Sequence, residues 1–131
     1  MPFVYSAHSS RGVDQVLERV PAVLAEHGFG LLWQLDVAET LAGKGFAGHE
    51  PLHVLEVCSP ARADEALRAD DRAAYLLPCR IAVRASGEGT EVGMLRPERL
   101  FEAVGADSGP LVELGRTVEG ELRDIIDDLV R

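Results

Sequence analysis

The residues in this chain best placed to do chemistry are two cysteines, which bracket the stretch VCSPARADEALRADDRAAYLLPC. Cys58 stands two residues before Pro60, and Cys79 directly follows Pro78. A thiol that ends a strand just ahead of a helix meets unpaired N–H groups, which favour negative charge and lower a thiol pKa. Cys58 could then act as a nucleophile. As thiolates, Cys58 and Cys79 would be soft donors for Cu(I), Zn or haem iron. Cysteine also packs as a small apolar residue in cores. Three readings stand side by side: a functional thiol, a metal or haem ligand pair, and simple burial. Neither C-x-x-C nor C-x-x-C-H is present to choose between them. Strand direction matters as well. Antiparallel neighbours would bring the sulfurs close, whereas parallel ones would leave them on the order of 15–20 Å apart.

Other polar residues could join such a site. Glu56 shares the Cys58 face of its strand by alternation, whereas His53 points to the opposite face. His49 and His53, four apart on a strand, are separated by about 13 Å and do not make a ligand pair. Lys44, the only lysine, lies between Gly43 and Gly45, either as an anion anchor or as a solvated loop end. Asp36 sits where a strand hands over to a helix. The phosphate-loop, dinucleotide, nucleophile-elbow and H-E-x-x-H signatures are all absent.

The elements that would position these residues follow from periodicity and punctuation. PFVYSAH reads as a first strand. Ser9 or Ser10 can cap a helix carrying Val13, Val16, Leu17, Val20, Val23 and Leu24, with Gly28 as its stop. Pro21 should kink that helix or divide it. FGLLWQLDV is a second strand, with Leu31, Trp33 and Leu35 on one face. A short helix follows, ending at Gly43 or Gly45. HEPLHVLEVC is a third strand, and Ser59 with Pro60 opens the next helix. YLLPCRIAVRAS is a strand broken at Pro78, which cannot donate to a ladder. GEGTEVGMLRP returns antiparallel. Pro97 opens a short helix, and the longest helix spans about 110–130 with Leu111, Val118 and Ile125 seven apart. Gly115 and Gly120 interrupt it at about 1 kcal/mol each relative to alanine. This order predicts an α+β fold, a mixed sheet with helices packed on it, closing with a hairpin and a long C-terminal helix.

At 131 residues, 47% apolar and 27% charged, the composition is that of one globular domain over 1–131. A net charge of −9 without a basic cluster argues against nucleic-acid binding. No run approaches the ~20 apolar residues of a membrane span, and no export signal opens the chain. The expected location is cytoplasmic, where thiols stay reduced.

The stretches FGLLWQLDVAETLAGKG, LHVLEVCSPARADEAL and AYLLPCRIAV together resemble the domain of unknown function 302 family. The matching positions are Phe29, Gly30, Asp36, Leu41, Lys44, Cys58, Pro60, Ala66, Leu67, Leu77, Pro78 and Cys79, within about residues 3–97. Ser59 and Arg80 stand where the family often has asparagine. The resemblance implies a small α+β domain, often a homodimer, with Cys58, Cys79 and Lys44 sharing a pocket. It brings no established activity. The candidate binding set is therefore Cys58, Cys79, Lys44, Glu56 and Asp36, with Cys58 and Cys79 as metal ligands. Its ligand would be a small molecule or a soft metal. The rivals are a thiol-dependent enzyme using Cys58 and an interaction module docking through the long helix.

Overall fold

The computed structural model describes residues 2–131. Five strands form one sheet in the order β1-β5-β4-β3-β2, with β1 Val4–Ser9, β2 Gly30–Asp36, β3 Leu52–Cys58, β4 Cys79–Ser86 and β5 Gly89–Leu95. Every pair is antiparallel. The α+β class, the hairpin and the long last helix are as expected, but the parallel pairs of a mixed sheet are not formed. Strand–helix alternation suggested them. Here α2 (Val37–Gly43) and α3 (Pro60–Ala69) instead serve as reversals between neighbouring antiparallel strands, and only β1-α1-β2 crosses the sheet.

Helix α1 (Val13–Glu26) starts later than Ser9 or Ser10 would place it. Gly12 is the cap, and its N–H donates to Gln15 Oε1 while Ser9 Oγ accepts from Arg11 N–H. Pro21 lies inside α1 without dividing it. Its exposed position lets water satisfy the carbonyl that proline leaves free. Gly28 stops the helix at φ 75°.

A bulge between Leu31 and Trp33 adds one residue to β2, so the expected face of Leu31, Trp33 and Leu35 divides. Leu31 goes with Val57 toward the helices, whereas Trp33 goes with Glu56 to the other face.

Helices cover only one face. There Leu55, Val57, Ile81, Val83 and Val92 are fully buried under α1 and α5 (Gly109–Leu129). Helix α4 (Pro97–Gly105) packs on α5, and Gly115 explains itself at that crossing: a Cβ there would lie 2.7 Å from Phe101 Cβ. Gly120 has open space instead. No helix among the described residues is long and apolar enough to cross a membrane.

Candidate ligand-binding site

The opposite sheet face is bare, and register fixes what it presents. One row across it reads Trp33, Glu56, Arg80, then Leu95 and Val4; the next reads Leu35, Val54, Ala82, Gly93 and Ser6. A third brings Leu52, Arg84, Glu91 and His8 together. The middle row is small toward β1, so it forms a shallow floor between larger neighbours.

Between β4 and β5 the ladder stops early. Its last pair is Ala82 with Gly93, although Arg80 and Leu95 lie within the strands. Two bonds show where their backbones point. Arg96 N–H donates to Phe3 O at 2.7 Å and Ala85 N–H to Pro51 O at 2.9 Å. Because hydrogen-bonding direction alternates along an antiparallel strand, Leu95 turns its N–H and C=O away from β1, and Arg80 turns its own away from β3. Both face the seam, and the pair between them is not made. Continued one step further, the same register would oppose Pro78 to Pro97, and neither has an N–H to donate. Beyond the unmade pair, therefore, the two prolines leave the ladder no donors with which to resume.

A cleft of about 660 Å³ occupies the opening. It joins the bare face at Ser6, Ala82 and Gly93 to the helix side at Met94, Phe101 and Leu122. Tyr75, Leu76, Leu77 and Pro78 form one lip, and Pro97 and Leu100 the other. The first lip follows a 3₁₀ turn (Asp71–Tyr75) that the Asp70 carboxylate caps at Arg72 N. The Arg72 guanidinium ties that carboxylate to Asp107 beyond α4, at 2.6 and 2.7 Å. Hydrogen bonding from the Arg72 side chain pulls the Asp70 carboxyl down to about 2. The second lip is fixed by buried Glu119 of α5, which accepts from Arg96 and from the Glu98 N–H.

Charge in the cleft is confined to the bare-face end. Arg80 approaches Glu56 at 3.6 Å, and Glu91 turns to His8 at 3.4 Å. Arg84 is thereby left without a carboxylate partner among the described residues, a free cation on the wall of a cleft in a chain of net charge −9.

The expected site residues separate. Cys79 and Glu56 line the cleft. Cys58 does not, and it is not opposed to Cys79: Cys58 pairs with Gly30, and Cys79 with Val57. Both are free thiols bordering a void of about 10 Å³, at the lower limit of the room one water needs. Burial, with a smaller contribution from Cys58, pushes the Cys79 thiol up to about 11. It is therefore protonated at neutral pH, a poor nucleophile and a poor metal donor. Asp36 pairs with His53, five residues along β3 from Cys58, so it lies roughly 17 Å from Cys58 at ~3.3 Å per residue. Its carboxylate caps α2 by accepting from Glu39 N–H at 3.0 Å. Lys44 is the C-terminal cap of α2 and borders neither cavity. No three His, Cys, Asp or Glu gather as a metal site among the described residues.

Arg84, Met94 and Leu95 were missed in the sequence because none stands out by type. The legible signal was the spacing of Pro78 and Pro97, which bracket two strands joined by a hairpin.

The architecture is thus a helix-backed antiparallel sheet with one bare face and an opened seam. The family model for the domain of unknown function DUF302 matches residues 5–129, and the chain belongs to this family. The match includes the long C-terminal helix, beyond the part that carried the sequence resemblance. A solved structure of an uncharacterized conserved DUF302 protein from Bacillus stearothermophilus is similar over 100% of both chains, with 32% identity and a TM-score of 0.92. No curated protein matches the chain.

Proposed function

We propose that this protein is a small-molecule binding domain and that the cleft between β4 and β5 receives the ligand. The observation that carries this reading is the unmade Arg80–Leu95 pair, opening onto a space within the range of small-molecule pockets, about 300–1,000 Å³. An apolar lining with a few polar groups at the mouth suits a mainly apolar molecule. In this reading Cys79 is a wall residue, and the soft-metal reading loses one of its two donors to burial.

The test is titration with the neutral fluorophore N-phenylnaphthylamine. The folded protein should enhance its emission. Ala82→Phe, which fills the floor from the bare face, should abolish the enhancement while leaving the thermal midpoint unchanged. No enhancement, or enhancement undiminished in Ala82→Phe, overturns the proposal.

A specific feature favours a second reading, a homodimer through the bare face. Trp33, Leu95 and Val4 are exposed there, together with two arginines and two glutamates that balance. Two copies of a chain carrying −9 would repel least through this neutral patch. Trp33→Glu should then halve the mass seen by light scattering. An unchanged mass rejects this interface.

A further inference from the structure

We infer that the cleft takes an aliphatic monocarboxylate, with its carboxylate on Arg84 and its chain passing over Ala82 and Gly93 and through the open seam to Met94, Phe101 and Leu122. This deepens the binding reading and rests on it.

Three features of the cleft converge on such a ligand. The first is its path. The cleft is not confined to one side of the sheet: its lining passes from bare-face Ala82 and Gly93 to helix-side Met94 and Leu122. A ligand that reaches both ends must span the sheet. The second is the order of chemistry along that path. Charged side chains lie at the bare-face end, and the far end beneath α4 is lined by Leu100, Phe101 and Leu122. A buried polar group there would lose its water partners at a cost of about 1–3 kcal/mol, which selects a hydrocarbon tail. The third is sign. Arg84 makes no carboxylate contact among the described residues: Glu91, opposite it in register, lies instead 3.4 Å from the His8 imidazole, and Glu56 3.6 Å from Arg80. A cationic head would meet Arg84 unfavourably. A neutral head would leave the guanidinium as it is, and a carboxylate can accept two parallel N–H bonds from it. Arg84 and Arg80 share a face four residues apart, about 13 Å at ~3.3 Å per residue. The stretch from anchor to seam therefore suits an extended chain better than a compact ring. The floor it crosses is small by composition, and a Cβ on Gly93 would already lie 3.0 Å from Ser6 Cβ.

The experiment displaces N-phenylnaphthylamine from the full chain with decanoate, decanol and decyltrimethylammonium, below their micellar concentrations. Decanoate should compete about tenfold or more tightly than decanol, as a hydrogen-bonded charge pair warrants. The ammonium compound should compete worst. Arg84→Gln should bring decanoate to the level of decanol without moving decanol itself, and Arg84→Lys should restore part of the difference. Arg84 is exposed, so both variants should keep the wild-type thermal midpoint. Should Arg84→Gln fail to fold, the wild-type protein decides: decanoate affinity must fall between 50 mM and 500 mM salt while decanol affinity does not. Equal affinity of decanoate and decanol, or a preference that survives Arg84→Gln, overturns the inference while leaving the cleft as a binding site. Failure of the fluorophore itself to bind removes the cleft, and this inference with it.

Discussion

The two ends of the β4–β5 hairpin are built in opposite ways. At the turn end every position is pinned. Gly87 takes φ 58° at the first place of a two-residue turn, as such hairpins require. Gly89 lies so close to β1 that a Cβ would stand 2.0 Å from Ser9 O. Buried Thr90 donates to Arg11 O at 2.8 Å. At the proline end the ladder is abandoned, and side chains from elsewhere hold the strands: Arg72 between Asp70 and Asp107, and Arg96 on Glu119. The closed end is held by backbone contacts, whereas the spacing of the open end does not depend on backbone bonds.

The sharpest way to break this contrast is by substitution at each end. Gly89→Ala should cost about 3 kcal/mol or more, because its obstacle is backbone that cannot step aside. Leu95→Ala, exposed on the open side, should stay within about 1 kcal/mol. Urea unfolding of both variants measures the difference, and equal costs would show that the two ends are equally constrained.

Amide hydrogen exchange sharpens the comparison without any substitution. The Ala82 and Gly93 amides should exchange at least about a hundredfold more slowly than those of Arg80 and Leu95, since only the first two are laddered across the seam. Matched protection at all four would mean that the seam is closed in solution.

The smallest effect concerns acid. The Asp70 carboxyl is held below its ordinary 3.8, at about 2, so its contribution to the lip is present above pH 4 and is lost as pH falls toward 2. Asp70→Asn should therefore have a lower thermal midpoint than the wild type at pH 6. The gap should shrink between pH 4 and pH 2. A gap independent of pH would show that the carboxylate charge plays no part.

Much of this was legible along the chain. The α5 stripe of Leu111, Val118 and Ile125, the Ser59–Pro60 helix start and the Gly28 stop each depend on neighbours within a few residues, and each stands where periodicity or capping chemistry puts it. The strand expected to run from Tyr75 through Pro78, by contrast, begins only at Cys79, with Tyr75 ending a 3₁₀ turn. The cysteine site did not follow in the same way. Cys58 and Cys79 are marked by local sequence, but whether they oppose each other depends on register. Register gives each a different partner. Asp36 and Lys44 were drawn into one site with them by resemblance, whereas a seven-residue strand carries Asp36 to the far end of the sheet.

Most of the elements, the Ser59 cap, the Gly28 stop and the family were legible along the chain, because those rest on short-range sterics and hydrogen bonding. Tertiary structure decided that all strands run antiparallel, that a bulge turns Trp33 away from Leu31, and that one sheet face stays bare. It also set the β4–β5 register, which if continued would oppose Pro78 to Pro97, nineteen positions apart along the chain. Two missing N–H groups keep a ladder from resuming only when register would bring them face to face, and register is a property of the whole fold.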